Sequence, residues 1–172
     1  PCAIIDAYDP AAVFSSIDTQ GRYAFGNQPG IAQWNLTRFA ETLLPLIDVD
    51  ENAAVEAATN ALKGFADVYR THSLVGMRAR LGLVGEHADD VGLAQALLKL
   101  MHTQRVDFTR CFRQLARVAA GQPHELFGMF VDTTPFEAWL AQWQALLANG
   151  QRPGVQTAAA MNAVNPAYIP RN

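Results

Sequence analysis

The sequence predicts a mainly α-helical protein, and three observations carry that expectation. Apolar residues recur at three- and four-residue steps in one stretch after another, no stretch alternates apolar with polar residues as a strand does, and no internal repeat is visible. With 172 residues, 50% of them hydrophobic, the chain is long enough to bury a core and too apolar for a disordered one.

Taken in order, residues 1–27 hold Asp, Gly, Pro, Ser and Asn without sustained periodicity and read as an extended or looped segment; residues 28–172 read as a helical domain. In the first segment Asp6 and Asp9 flank Ala7-Tyr8, and Asp18 follows a short apolar run. Three carboxylates can hold a metal, but Asp-x-x-Asp is common, and turn formation or N-capping is the preferred reading. The clearest helix start comes next. Asn27 is a capping residue, Pro29 suits a first turn, and Ile31, Trp34, Leu36, Phe39, Leu43, Leu44 and Ile47 recur as an apolar face. Asp48 or Asp50 caps a second helix at about 50–70, with Val55, Ala58, Leu62, Phe65 and Tyr69 on its stripe.

Around Leu74 to Met77 the glycines and arginines predict a bend, stop or restart, and Gly82-Leu83-Val84-Gly85 reads as a helix C-cap and turn. From Asp89 or Asp90 a further helix carries Val91, Ala94, Leu97, Leu98 and Met101. Asp107 then caps another, which Gly121 ends. The short join from His102 to Val106 predicts that these two helices lie side by side. Thr134-Pro135-Phe136-Glu137 has capping-box spacing, and Phe136, Trp139, Leu140, Trp143, Leu146 and Leu147 follow as one face up to Gly150. A last helix fits Val155 to Val164, after which Tyr168 and Ile169 pack the tail back. Trp34, Phe39, Phe65, Phe112, Trp139 and Trp143 are the expected buried aromatics.

Several chemistries fail on inspection. Asp48-Val49-Asp50-Glu51-Asn52 opens like a calcium loop, but Ala53 and Thr59 stand where Gly and Glu are needed. Gly82-Leu83-Val84-Gly85 lacks the rest of a phosphate loop, and His124-Glu125 lacks the second histidine of a zinc protease. His72 and His87 have no second ligand at metal spacing and read as surface or polar-contact residues. Cys2 and Cys111 are too few for a disulfide framework, and Cys111 falls on an apolar helix face. A net charge of −3, with eleven arginines and two lysines, points to neither nucleic acid nor an anionic membrane. Arg110, Arg113 and Arg117 line the polar side of their helix and read as a solvated or salt-bridged face. No run of about 18 apolar residues and no basic-then-apolar leader is present.

One set of strings says more. Gly21-Arg22-Tyr23, Asn27-Gln28-Pro29, Trp34-Asn35-Leu36, Arg38 and Glu41-Thr42-Leu43 resemble the selenoprotein O family of kinase-like protein adenylyltransferases. So do Asp6-Ala7-Tyr8-Asp9-Pro10 upstream and Asn165-Pro166 with Tyr168-Ile169-Pro170-Arg171-Asn172 downstream, leaving a looser middle. The resemblance implies the helical lobe of a protein-kinase-like fold with an extended N-terminal segment. It implies a longer parent that transfers AMP from ATP to Ser, Thr or Tyr hydroxyls of protein substrates, with magnesium bridging the phosphates; the two cysteines make a reducing cytoplasm the default compartment. In that family a metal-binding Asp-Tyr-Gly directly precedes the tract resembling residues 1–10. Pro1 would therefore follow it, and the absence of methionine before Met77 fits a piece of a longer chain. The glycine-rich loop, lysine and acidic metal ligands of such folds all lie upstream. No catalytic, cofactor-binding or metal-ligating residue is accordingly assigned to this chain, and no ATP or magnesium is expected on it alone. Some members carry redox-linked cysteines where this chain has Ser15 and Ser16. Asn35-Leu36-Thr37 is a formal glycosylation sequon placed on a helix. The alternative reading is a stand-alone, non-catalytic helical interaction module. On the kinase-like reading, in which its neighbours in the cleft are missing, the stretch before Asn27 is expected to be the least self-sufficient.

Overall fold

A computed structural model describes residues 5–169. Its helices are α1 (Gln28–Ile47), α2 (Glu51–Lys63), α3 (Phe65–Leu81), α4 (Asp90–Gln104), α5 (Phe108–Ala119), α6 (Thr134–Asn149) and α7 (Gly154–Val164), with 3₁₀ turns at Phe25–Asn27 and Phe127–Met129. The protein is mainly helical, as the periodicity predicts. Among the described residues no strand forms, and an isolated antiparallel bridge joins Ala7 to Asp107. The chain divides into two compact units, one of residues 10–73 and one of residues 5–9 with those from Leu74 onward; the division falls inside α3.

In the first unit the lead-in is a set of turns. The Asp18 carboxylate accepts from the backbone N–H of Arg22 (2.8 Å) and Tyr23 (2.7 Å), the turn role its type suggests. Gly21, at φ +66°, supplies the left-handed residue there. Gly26 N–H donates to Pro10 O (2.7 Å) and Phe25 N–H to Ala12 O (3.0 Å), folding the segment back on itself. α1 begins with Pro29 in its first turn, but the Asn27 side-chain amide donates to Gly21 O (2.9 Å) instead of capping the helix. α2 is capped as expected, Asp50 Oδ1 accepting from Asn52 N–H at 2.9 Å. The single helix expected at 50–70 is in fact two, since α2 stops at Gly64 and α3 starts at Phe65. Of the bend, stop or restart expected at Leu74 to Met77, neither the stop nor the restart occurs. α3 runs through Gly76, whose cost of about 1 kcal/mol relative to alanine is too small to break a helix.

α1 packs on α2, yet the described residues of this unit bury only Ala24 and Ala54. The expectation that Trp34 and Phe39 are buried is therefore wrong: they are 45% and 60% exposed. Trp34 serves instead as a platform for two guanidinium groups, Arg22 at 4.4 Å and Arg38 at 5.6 Å from the ring. Phe65 is half-buried, stacked on Tyr69 with centroids 6.1 Å apart.

The second unit holds the core. Leu97, Met101, Phe112, Leu115, Leu126, Phe136, Trp143 and Met161 are fully buried together, as the faces of α4 to α7 require. Phe130, Phe136, Trp139 and Trp143 form a ladder of near-parallel rings with successive centroids 4.0, 5.8 and 6.0 Å apart. Both indoles of α6 also satisfy distant carbonyls, Trp139 Nε1–H donating to Leu93 O and Trp143 Nε1–H to Leu81 O, each at 2.8 Å. α4 packs against α6 and α5 against α7, so the expected side-by-side pairing of α4 with α5 is replaced. The join explains why. Arg105 takes a left-handed conformation (φ 55°) that ends α4, and Val106 and Asp107 then pair with the segment at residues 6–8.

In the second unit the cap of α5 follows the sequence, that of α6 shifts by one residue, and Asp89 at the start of α4 makes no side-chain cap bond. Asp107 Oδ1 accepts from Arg110 N–H at 2.8 Å, Gly121 (φ +66°) follows α5, and Gly82 (φ +71°) ends α3. At α6 the cap is Thr133 and not Thr134. Thr133 Oγ1 donates to Glu137 Oε1 (2.9 Å), and Asp132 Oδ1 accepts from Thr134 N–H (3.0 Å). α7 comes very close to α5 at Gly154, where an added Cβ would lie 2.2 Å from Ala119 O.

Candidate functional site

The two ends of the chain that carry the family-like strings both bear on α5 in the second unit. Tyr8 N–H donates to Val106 O (2.9 Å) and Phe108 N–H to Asp6 O (2.7 Å), fixing residues 6–8 at the start of α5 by backbone bonds. The Tyr8 ring stacks on Phe108 at 5.6 Å and meets His102 edge-on at 6.4 Å. Burial, with the nearby Asp9 charge as a smaller contribution, raises the Tyr8 phenol above its ordinary value, so it stays protonated at neutral pH.

Arg80 of α3 extends this cluster. Its guanidinium lies 5.5 Å from the Phe108 ring centroid and 5.6 Å from that of Phe112, and Nη1 donates to Asn165 Oδ1 at 3.5 Å. Asn165 Nδ2 donates back to Arg80 O (3.0 Å), and Arg113 Nη1 donates to Asn165 O (3.3 Å). Burial lowers the Arg80 pKa, but guanidinium remains cationic. Tyr8, Phe108, Arg80 and Asn165 thus form a continuous path between residues 157 positions apart in sequence (165 − 8). Asp6 and Tyr8 come from the string read at the start, and Asn165 from the one read at the end. Arg80 was not singled out by sequence reasoning. Its contacts reach 85 residues along the chain, and nothing local marks it.

The carbonyls at the end of α3 are closed from three directions. Arg80 O accepts from Asn165, Leu81 O from Trp143, and Gly82 O from Arg152 Nη2 at 2.6 Å. Arg78 Nε donates to the buried Asp90 Oδ2 at 2.5 Å, and the same oxygen accepts from His87 N–H at 2.9 Å. His87 Nε2 contacts Val84 O at 3.0 Å, a polar contact as read. Arg110 pairs with Glu125 at 3.3 Å, and Arg117 Nε donates to Pro123 O at 2.7 Å, so the arginine face of α5 is both solvated and bonded. Cys111 is a fully buried free thiol, and burial pushes its pKa far up, leaving it an inert thiol. An open cleft of about 850 Å³ borders α4 and α6, with Lys99, Arg105, Asp132 and Trp139 among its walls.

Among the described residues no three His, Cys, Asp or Glu side chains converge in a way that could hold a metal ion. No chemical step through magnesium is derived from these residues. No described helix is long and apolar enough to cross a membrane. What the cluster can do is hold the tract at residues 6–9 in one register on a helical scaffold.

Comparison with known proteins gives that scaffold a family. The model of the family described as protein adenylyltransferase SelO matches residues 1–172. The chain is similar to the protein nucleotidyltransferase YdiU of Rhizobium johnstonii (49% identical), of Mycobacterium sp. strain KMS (51%) and of Rhodopseudomonas palustris strain BisB5 (49%). In each the match covers 100% of this chain but only 35%, 34% and 35% of the relative. The protein belongs to the SelO family. It spans about a third of the length of the curated relatives it matches.

Proposed function

We propose that this chain is the helical lobe of a kinase-like protein adenylyltransferase, whose parent transfers AMP from ATP to protein Ser, Thr or Tyr hydroxyls in the cytoplasm. The observation that carries the reading is the match over the whole chain, at 49–51% identity, to proteins named protein nucleotidyltransferases. In this reading residues 1–27 are the tract that follows the metal-binding motif, and residues 28–172 form the lobe.

The chemistry divides accordingly. Nucleotidyl transfer of this kind depends on positioning and on neutralising phosphate charge, for which the parent uses ATP and magnesium held by residues outside this chain. The part of this chain is mechanical. Backbone bonds with Val106 and Phe108, and the stacking of Tyr8 on Phe108, anchor residues 6–8, a tract that this reading places shortly after the metal-binding motif. The 172-residue chain alone should neither bind ATP with magnesium tightly nor modify proteins. Calorimetry with ATP and magnesium, paired with labelled-AMP transfer by chain and parent, tests this. Micromolar binding or transfer by the chain alone overturns the division of labour; a folded but inactive parent moves the reading to a non-catalytic interaction module.

A further inference from the structure

The exposed face of α1 is built like an interface. Ala32, Leu36, Phe39, Leu43 and Leu46 recur at steps of four, three, four and three, which places them in one seam along the helix. α1 has no buried residue, although it packs on α2; in the seam Leu36 is 41%, Phe39 60% and Leu46 82% exposed, and Leu43 is half-buried. An apolar seam of this length left in water is rare in a stable protein. Its own unit offers no compensating core, since only Ala24 and Ala54 are buried among its described residues.

We propose that this seam is the docking face for an amphipathic helix of the same polypeptide, lying in the part of the parent outside these 172 residues. Two observations select that occupant. The relatives are about three times as long as this chain, which covers 35% of them, so most of such a protein lies elsewhere. The seam also has few charges on its own helix, since Arg38 and Glu41 are the only charged residues of α1. Asn35 and Thr42 flank it, and the charges nearest to it, Arg38 and Glu41, pair with each other at 2.5 Å. A partner arriving by diffusion is usually steered and selected by rim charges. A covalently tethered helix needs neither, because the tether supplies a millimolar effective concentration. The alternating four- and three-residue steps call for a partner helix with the same spacing. The inference rests only on that part of the proposed function which makes this chain a piece of a longer protein.

Leu46→Cys, introduced into the parent and into the 172-residue chain, tests it by native thiol labelling, quantified at that site by mass spectrometry at several concentrations. Labelling in the parent should be slowed about tenfold or more at every concentration, and fast in the shorter chain. Phe39→Ser should lower the Tm of the parent and leave that of the shorter chain nearly unchanged. Fast labelling in a folded parent overturns the proposal. So does protection that appears only as concentration rises, which would show a second copy on the seam, or equal protection in the shorter chain, which would place the cover within these 172 residues. AMP transfer measured on the same parent sample separates the readings: a protected seam in an inactive parent supports the docking face and removes the enzyme.

Discussion

α1 and α6 look alike as sequences and end in opposite environments. Both open with proline in the first turn and carry tryptophan, phenylalanine and leucine at helical steps. In α6, Phe136 and Trp143 are fully buried and Trp139 nearly so, each indole N–H meeting a backbone carbonyl from another helix. In α1 the aromatic rings stay half in water, and the nearest partners of Trp34 are arginines. Helical periodicity identifies which face is apolar. It does not say whether these residues contain what covers that face.

The largest effect should come from breaking that contrast directly. Trp143→Ala removes a fully buried indole and its bond to Leu81 O, and should destabilise the second unit by about 3–5 kcal/mol. Phe39→Ala in the same 172-residue chain should cost less than about 0.5 kcal/mol, because the ring is 60% exposed. Denaturant melts of both variants check the pair. Comparable losses would mean that α1 contributes a core of its own.

Two glycines sharpen the comparison next. An alanine at Gly154 would put its Cβ 2.2 Å from Ala119 O, and since both groups sit on packed helices the α5–α7 contact must open, at about 1–3 kcal/mol. Gly30 in α1 has nothing within 4 Å of the same atom, and Gly30→Ala should stabilise by about 0.5–1 kcal/mol through helix propensity. Opposite signs of the Tm shift in thermal melts are the expected result.

The caps of α2 and α5 are a finer probe. Asp50 and Asp107 accept from backbone N–H at 2.9 and 2.8 Å, so alanine at either should cost about 1 kcal/mol of helix stability. The Asp107 loss should appear in the global melt, because α5 lies in the core. The Asp50 loss should appear as faster hydrogen exchange confined to residues 51–63. A global effect of Asp50→Ala would show that the two units unfold as one.

What the sequence disclosed follows the same division. Aspartates 18, 50 and 107 sit in the turn and cap roles assigned to them, because those bonds reach only two to five residues. Phe112, Trp139 and Trp143 are buried as predicted, since all elements that cover them lie within the second unit. Trp34 and Phe39 went the other way for lack of such elements. The path from Tyr8 through Phe108 and Arg80 to Asn165 was beyond reach for another reason: it depends on which helices become neighbours, and the join at Arg105 to Val106 sends α5 to α7 and not to α4. The family strings, by contrast, were legible in full, and the whole-chain match bears them out.

An effect absent at neutral pH concerns Cys111, which sits at the centre of the covered unit. Burial raises its thiol pKa, with the charge of Asp107 adding to the shift, so the folded state holds this proton more tightly than the unfolded state, whose thiol titrates near an ordinary pKa of about 8.5. The sign follows from linkage. Below pH 8 both states are protonated and stability is unaffected; above about 8.5 the unfolded chain loses the proton, and stability falls by up to about 1.4 kcal/mol per pH unit. Cys111→Ala should lower stability at neutral pH through lost packing, yet flatten its decline between pH 8 and 10. In the native protein the thiol should also resist labelling until the second unit opens. Chemical melts of wild type and variant across that pH range give the difference in slope directly. Parallel slopes would mean that the Cys111 thiolate is stabilised in the folded state as well as in the unfolded one, and that the core around α5 is wetter than its zero exposure indicates.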